Sequence, residues 1–220
     1  MQQLRLLKNL GGEDFRQESG FVDLQEAIQV IASKSKRTDI FAREELQTRE
    51  DSWSILIDAS HSLSMFYGEI RGIALSLAEV AKMLILNQNS WGMYAFNQKF
   101  YVIKDPSERY DVHVKARIGG LFHGGFTFLP DAILLAAQAL TRRIEEAKIL
   151  VVVSDFFPAG YEGAEEKLRE VIKRVEHMGV SIIGIGVNSR AVRKYVRVNC
   201  VVEGPYDLMK KFTKAFMGFG

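Results

Sequence analysis

The 220-residue sequence predicts an α/β fold: a mostly parallel, doubly wound sheet with helices on both faces. Two short and continuously apolar runs, Ser54–Asp58 and Ile149–Val153, read as strands buried on both sides. The stretches between and after them repeat apolar residues at helical spacing, so strand and helix alternate along the chain. Hydrophobic residues make up 47% and charged residues 25%, the balance of a globular domain long enough to bury a core without staples.

The elements follow in chain order. Met1 to about Gly20 is polar, is punctuated by Gly11, Gly12 and Gly20, and specifies little. Asp23 and Glu26 make a capping pair, and Leu24, Ala27, Ile28 and Ile31 repeat at helical spacing behind them. Residues 1–51 are therefore expected to form an extension with one helix, its charge-rich end from Lys34 to Asp51 leading into the main domain at 52–217. There, strand Ser54–Asp58 precedes a helix whose inner stripe is Ile70, Ile73, Ala74, Leu77, Ala81 and Leu84. Trp91–Phe96 and Phe100–Ile103 read as strands of a hairpin turning at Asn97-Gln98. A short helix fits Pro106–Ile118, ended by Gly119-Gly120, and Pro130 stands in the first turn of the next. Ile149–Val153 is the most apolar strand and leads to Asp155. Leu168, Val171, Ile172 and Val175 mark a helix capped by Gly179. Strands Ser181–Ile185 and Asn199–Val202 follow, and Pro205 opens a final helix that turns Leu208, Phe212 and Phe216 inward.

Bulk properties exclude several classes. A net charge of +2, from 29 basic and 27 acidic residues, gives no overall footprint for nucleic acid. Cys200 is the only cysteine, so no intramolecular disulfide forms, and its apolar surroundings read as core. The N-terminus lacks the apolar stretch of a signal peptide, and no segment approaches the roughly 20 apolar residues of a membrane span. A cytoplasmic location is the expectation.

In sheets of this kind, ligands bind beyond the carboxyl ends of the strands, near the point where the winding reverses. Three oxygen-rich pieces stand at such ends. Asp58-Ala59-Ser60-His61-Ser62 follows the first buried strand and offers a carboxylate and two hydroxyls at alternating positions. Gly124-Gly125-Phe126-Thr127 is a glycine-softened loop that adds a hydroxyl ahead of a helix. Ser154-Asp155 ends the most apolar strand. Oxygen donors of this kind suit a hard cation, Mg²⁺ or Mn²⁺, rather than Zn²⁺, even with His61 and His123 close by in sequence.

This constellation resembles the metal-ion-dependent adhesion site of von Willebrand factor A (VWA) domains, whose Rossmann-like sheet matches the element order over about Trp53 to Phe216. The resemblance implies a metal site at Asp58, Ser60, Ser62, Thr127 and Asp155, and a protein-binding rather than catalytic role. Gly20–Leu24, Tyr101–Asp105, Ala116–Ile118 and the Gly124–Thr127 loop are similar to a bacterial and archaeal subgroup. That subgroup includes the nitric-oxide-reductase activation protein and the cobalt-chelatase large accessory subunit, and its members carry a longer region ahead of the segment matching Gly20. It implies an adaptor or co-chaperone working with a MoxR-type AAA+ ATPase in activating, or loading metal into, a client enzyme. A partner's Glu or Asp would complete the metal's coordination.

His61, His123, Phe126 and Phe156 are expected to form a partner-binding rim, within an aromatic cluster that also holds Phe128 and Phe157. Thr127 is expected in a surface loop, and His113 and His177 to face solvent. Two other readings compete. One is a scaffold VWA domain whose metal site is vestigial. The other is a phosphatase of the haloacid-dehalogenase type, which needs a second acid where Ser60 stands. No phosphate-cradling glycine motif supports a nucleotide site.

Overall fold

The computed structural model describes residues 13–17, 21–22, 41–44, 51–85 and 87–217. The chain divides into two compact units, Met1–Arg49 and Glu50–Gly220. In the first, β1 (Glu13–Gln17), β2 (Phe21–Val22) and β3 (Phe41–Glu44) form an antiparallel sheet in the order β1-β3-β2. The sequence had suggested a featureless lead-in and a charged connector there. These strands are too short to show a period, and their pairing is non-local. The helix expected around Asp23–Ile31 lies outside the described residues.

The second unit is built on a six-stranded sheet, ordered β6-β5-β4-β7-β8-β9. Its strands are β4 (Asp51–Asp58), β5 (Trp91–Phe96), β6 (Phe100–Lys104), β7 (Ala147–Ser154), β8 (Val180–Val187) and β9 (Val198–Val202). All pairs are parallel except β5–β6, the predicted hairpin. The helices are α1 (Tyr67–Leu84), α2 (Val112–Gly119), α3 (Leu129–Thr141), α4 (Ala164–His177) and α5 (Pro205–Met217). The doubly wound α/β arrangement is the one the sequence predicts.

Local chemistry sets the helix ends. Asp111 caps α2 by accepting from the N–H groups of His113 (2.8 Å) and Val114 (3.2 Å). Pro130 stands in the first turn of α3, and Gly179 takes a positive φ of 76° just past α4. On one face of the sheet, Leu56, Leu150, Val152 and Ile182 pack against α3 and α4 through Ile133, Ala136, Leu168 and Ile172. Alternation turns Trp53, Ile55 and Ile57 to the other face. There Trp53 meets Phe212 and Phe216 of α5, at ring separations of 6.3 and 5.4 Å. Cys200 is buried, and burial pushes its thiol up to about 11.

From β4 the chain winds first to β5 on one side and later to β7 on the other, so the reversal falls between β4 and β7. Ile57 is level with Val153, which sets Asp58 beside Ser154 at the carboxyl ends of these two strands.

Close approach of backbone fixes one further position. A Cβ on Gly186 of β8 would lie 2.3 Å from the Ser189 carbonyl oxygen, where a tight turn folds back over the strand. Gly186→Ala is expected to destabilise the domain by about 1–3 kcal/mol, the usual cost of overpacking, read as a lower urea midpoint at unchanged slope.

Candidate metal centre

Asp58 is the centre of the loop end of the sheet. It has no solvent exposure. Its Oδ1 accepts from the Ser60 N–H at 2.8 Å, and its Oδ2 accepts from the Ser154 hydroxyl at 2.6 Å. The Ser60 and Ser62 hydroxyls lie 3.1 Å apart, so the alternating spacing does aim both at one place. Asp155 is close enough to Asp58 to repel its charge. Burial first, and Asp155 in addition, push the Asp58 carboxyl up to about 7 despite the bonds from Ser154 and Ser60.

Two backbone bonds join the Asp58 loop to the glycine loop: Gly124 N–H to the Ala59 carbonyl (2.8 Å) and His61 N–H to the Gly125 carbonyl (3.0 Å). Gly125 has a φ of 78°, a conformation that favours glycine. Asn97 completes the brace. Its Nδ2 donates to the Gly124 carbonyl (2.8 Å) and its Oδ1 accepts from the Lys99 N–H (2.8 Å). The Thr127 carbonyl accepts from the Ala159 N–H at 3.0 Å, tying the glycine loop to the loop after β7. Three loops therefore converge on Asp58.

The loop after β7 turns sharply. Phe156 has a φ of 58°, strained for a side chain of this size, and its N–H donates to the Ser154 hydroxyl at 3.0 Å. This left-handed step drives the Phe156 ring into the core beneath α3 and α4. Asp155 stays at the loop, where its Oδ1 accepts from the Phe157 N–H at 3.1 Å.

Several expected rim residues move in consequence. Phe156 is fully buried and is no part of a rim. His123 is buried too, with no hydrogen-bond partner on either ring nitrogen, because the chain turns inward between Phe122 and Gly124. Burial, with Arg71 adding repulsion, holds its imidazole below the ordinary range. Thr127 is buried rather than at the surface, with its carbonyl tied to the Ala159 N–H of the loop after β7. His61, His113 and His177 are exposed, as expected. The exposed apolar side chains of these loops are Phe126 (59%), Phe157 (57%), Phe122 (80%) and Met65 (86%). Sequence reasoning missed Phe122 and Met65, which nothing in their local pattern marks as exposed. It also read Asn97 only as a turn residue and left Ser154 out of the ligand set.

Among the described residues, no three His, Cys, Asp or Glu side chains are grouped so as to hold a metal. The donors gathered around Asp58 are instead hydroxyls and carboxylates, the chemistry of a hard cation. No described helix is long and apolar enough to cross a membrane.

The sign of the Asp58 shift fixes a pH dependence. Its folded value, about 7, lies above its ordinary 3.8, so between these the folded state binds more protons than the unfolded one. The stability that the protonated acid contributes is lost as pH rises through about 7. In EDTA, the melting temperature of the wild type relative to Asp58→Asn is expected to fall between pH 4 and pH 8. A pH-independent difference would mean that Asp58 is ordinary in the fold.

Residues 128–215, less than half of the chain, match the family described as "Cobalamin biosynthesis protein CobT VWA domain". No curated protein matches the sequence. Among solved structures, the pilus adhesin SpaC of Lactobacillus rhamnosus GG is 12% identical with a TM-score of 0.60, over 78% of this chain and 30% of its own. The manganese-loaded TRAP protein of Plasmodium vivax is 12% identical with a TM-score of 0.56, over 76% of this chain and 74% of its own. The vWF domain of the pili tip protein Mfa5 from Porphyromonas gingivalis is 9% identical with a TM-score of 0.59, over 78% of this chain and 95% of its own. The chain thus spans under a third of SpaC, and at these identities the likeness is one of fold. Sheet order, flanking helices and these likenesses together give the second unit the Rossmann-like fold of a von Willebrand factor A domain, similar over residues 128–215 to the CobT branch of that family.

Proposed function

We propose that the domain is a metal-dependent protein-interaction module that holds Mg²⁺ or Mn²⁺ at Asp58, Ser60, Ser62, Thr127 and Asp155. The observation that carries this reading is the buried Asp58 carboxylate beside Asp155, met only by a backbone N–H and hydroxyls. Such a pair is costly when ionised, and a divalent cation offsets the cost. The donor set fits that ion: serine and threonine hydroxyls with two carboxylates, leaving positions that Mg²⁺ normally fills with water. The bound cation supplies a positive centre for an incoming acid. The chain's own residues would hold it, and Phe126, Phe157 and His61 stand exposed in the same loops.

On this reading, a Glu or Asp of a protein partner reaches the metal, and exposed aromatics add apolar contact. The match over 128–215 to the CobT VWA domain family agrees with the subgroup that the sequence resembles. From that resemblance comes the further proposal of a MoxR-type AAA+ ATPase as partner, with the domain as adaptor in activating or metal-loading a client enzyme. The same family likeness supports binding rather than catalysis, and nothing supports the phosphatase alternative. A scaffold role with an idle site is the second reading, and metal titration separates the two.

Mg²⁺ at a hundredfold excess over its Kd is expected to stabilise the domain by about 2.7 kcal/mol, and Asp58→Ala to abolish the gain. A melting shift with Mg²⁺ that survives Asp58→Ala would show the site to be elsewhere.

Affinity for the AAA+ partner, measured in Mg²⁺ and in EDTA, tests the function. It is expected to be lost in EDTA, and to fall for Phe126→Ala by about 1–2 kcal/mol at any metal concentration. Equal affinity in both conditions would leave the metal a structural role.

A further inference from the structure

The outer strand β9 takes no part in the candidate metal centre. Among the described residues it pairs only with β8, and no strand lies on its other side. The free edge of a strand is a row of backbone donors and acceptors ready for another chain. Charge is concentrated around it. From Arg190 to Met217 the sequence places seven Lys and Arg against two acids, a net charge of +5. The whole chain carries +2, so everything else nets −3.

The fold lays this charge along the strand. A groove of about 650 Å³ is lined by Asn199, Cys200 and Val201 of β9, with Arg190 and Arg193 from the preceding turn, Lys211 and Lys214 from α5, and one acid, Glu203. Lys211 is paired with Asp207 of its own helix, so Arg190, Arg193 and Lys214 carry most of the groove's positive charge. The two basic groups come from opposite faces of the sheet. The turn Ala191–Lys194 tucks Ala191 and Val192 into the core with α3 and α4, whereas α5 packs on the face shared with α1. A second groove of similar size, about 650 Å³, reaches the start of β9 and is lined by Arg169, Lys173, Lys194 and Arg197 around Tyr195, with Glu176 as its one acid.

We propose that β9 is a docking edge for an extended acidic segment of a protein partner, which adds a strand to the sheet and sets its carboxylates against both basic walls. Side chains alternate between faces along a strand, so neighbouring acids on one segment reach Arg190 and Arg193 on one face and Lys211 and Lys214 on the other. A second copy of this chain would bring the same +5 edge and be repelled. A nucleic acid would use the charge and leave the strand's backbone groups unpaired. Basic residues also guard edges against aggregation, and that simpler role predicts no ligand.

The test uses the full chain and fluorescence anisotropy at low salt. The probes are a short synthetic peptide of valine and adjacent glutamates, the same peptide with N-methylated backbone amides, and a single-stranded DNA oligonucleotide. The unmodified peptide is expected to bind at least roughly tenfold more tightly than its N-methylated form. Arg193→Glu and Lys214→Glu should each weaken it by about tenfold, with melting temperatures unchanged. EDTA should leave this affinity unaltered, which separates the edge from the metal-dependent surface. Equal binding of the two peptides would overturn strand addition. Absence of peptide binding would leave the basic walls as guards. Oligonucleotide binding tighter than the peptide's, and lost in the same variants, would make the edge a nucleic-acid surface.

Discussion

The hydrogen bond from the Ser154 hydroxyl to Asp58 organises the loop end of this domain. A carboxylate without solvent contact must find donors inside the protein, and Asp58 finds them in Ser60 of its own loop and in Ser154 of the neighbouring strand. Ser154 is there because β4 and β7 pair in parallel, with Ile57 level with Val153. The same serine oxygen accepts from the Phe156 N–H, which holds that residue in its left-handed conformation. That turn sinks Phe156 into the core and keeps Asp155 at the loop. One buried acid thus links sheet register, a strained turn and the placing of a second acid.

The glycine loop is braced from another direction. Asn97, at the turn of the β5–β6 hairpin, holds the Gly124 carbonyl, and the Asp58 loop holds the backbone of Gly124 and Gly125. An antiparallel hairpin at the sheet's edge therefore sets where Thr127 enters the core. Burying Asp58 with Asp155 close by is costly wherever both are ionised. A site that gains from a cation is one whose polar groups are left under-compensated without it.

Charge is divided by position as well as by sign. Asp58 and Asp155 stand at the carboxyl ends of β4 and β7, whereas the stretch around β9, Arg190 to Met217, carries a net charge of +5. A mean charge near zero conceals this division. The exposed aromatics Phe122, Phe126 and Phe157 belong to the loop end alone. A partner meeting the loops would find exposed aromatic side chains, and one meeting the sheet edge would find a strand flanked by basic residues.

The sequence by itself determined the sheet and helix alternation and the hairpin, and it marked the oxygen-bearing side chains that stand at the loop end. Those signals are local: an unbroken apolar run, a helical period, and alternating oxygen side chains after a strand. The turn at Asn97-Gln98 and the first-turn Pro130 were legible for the same reason. Burial of Phe156, His123 and Thr127 was not. An aromatic in a glycine-rich loop looks alike whether it faces solvent or core, and only the left-handed turn held by Ser154 sends Phe156 inward while Phe157 stays out. The strands of the first unit escaped notice because each is short and exists through a partner distant in the chain. The basic edge was hidden because residues on a turn, a strand and a helix, each unremarkable in sequence, share one groove only after the sheet is assembled.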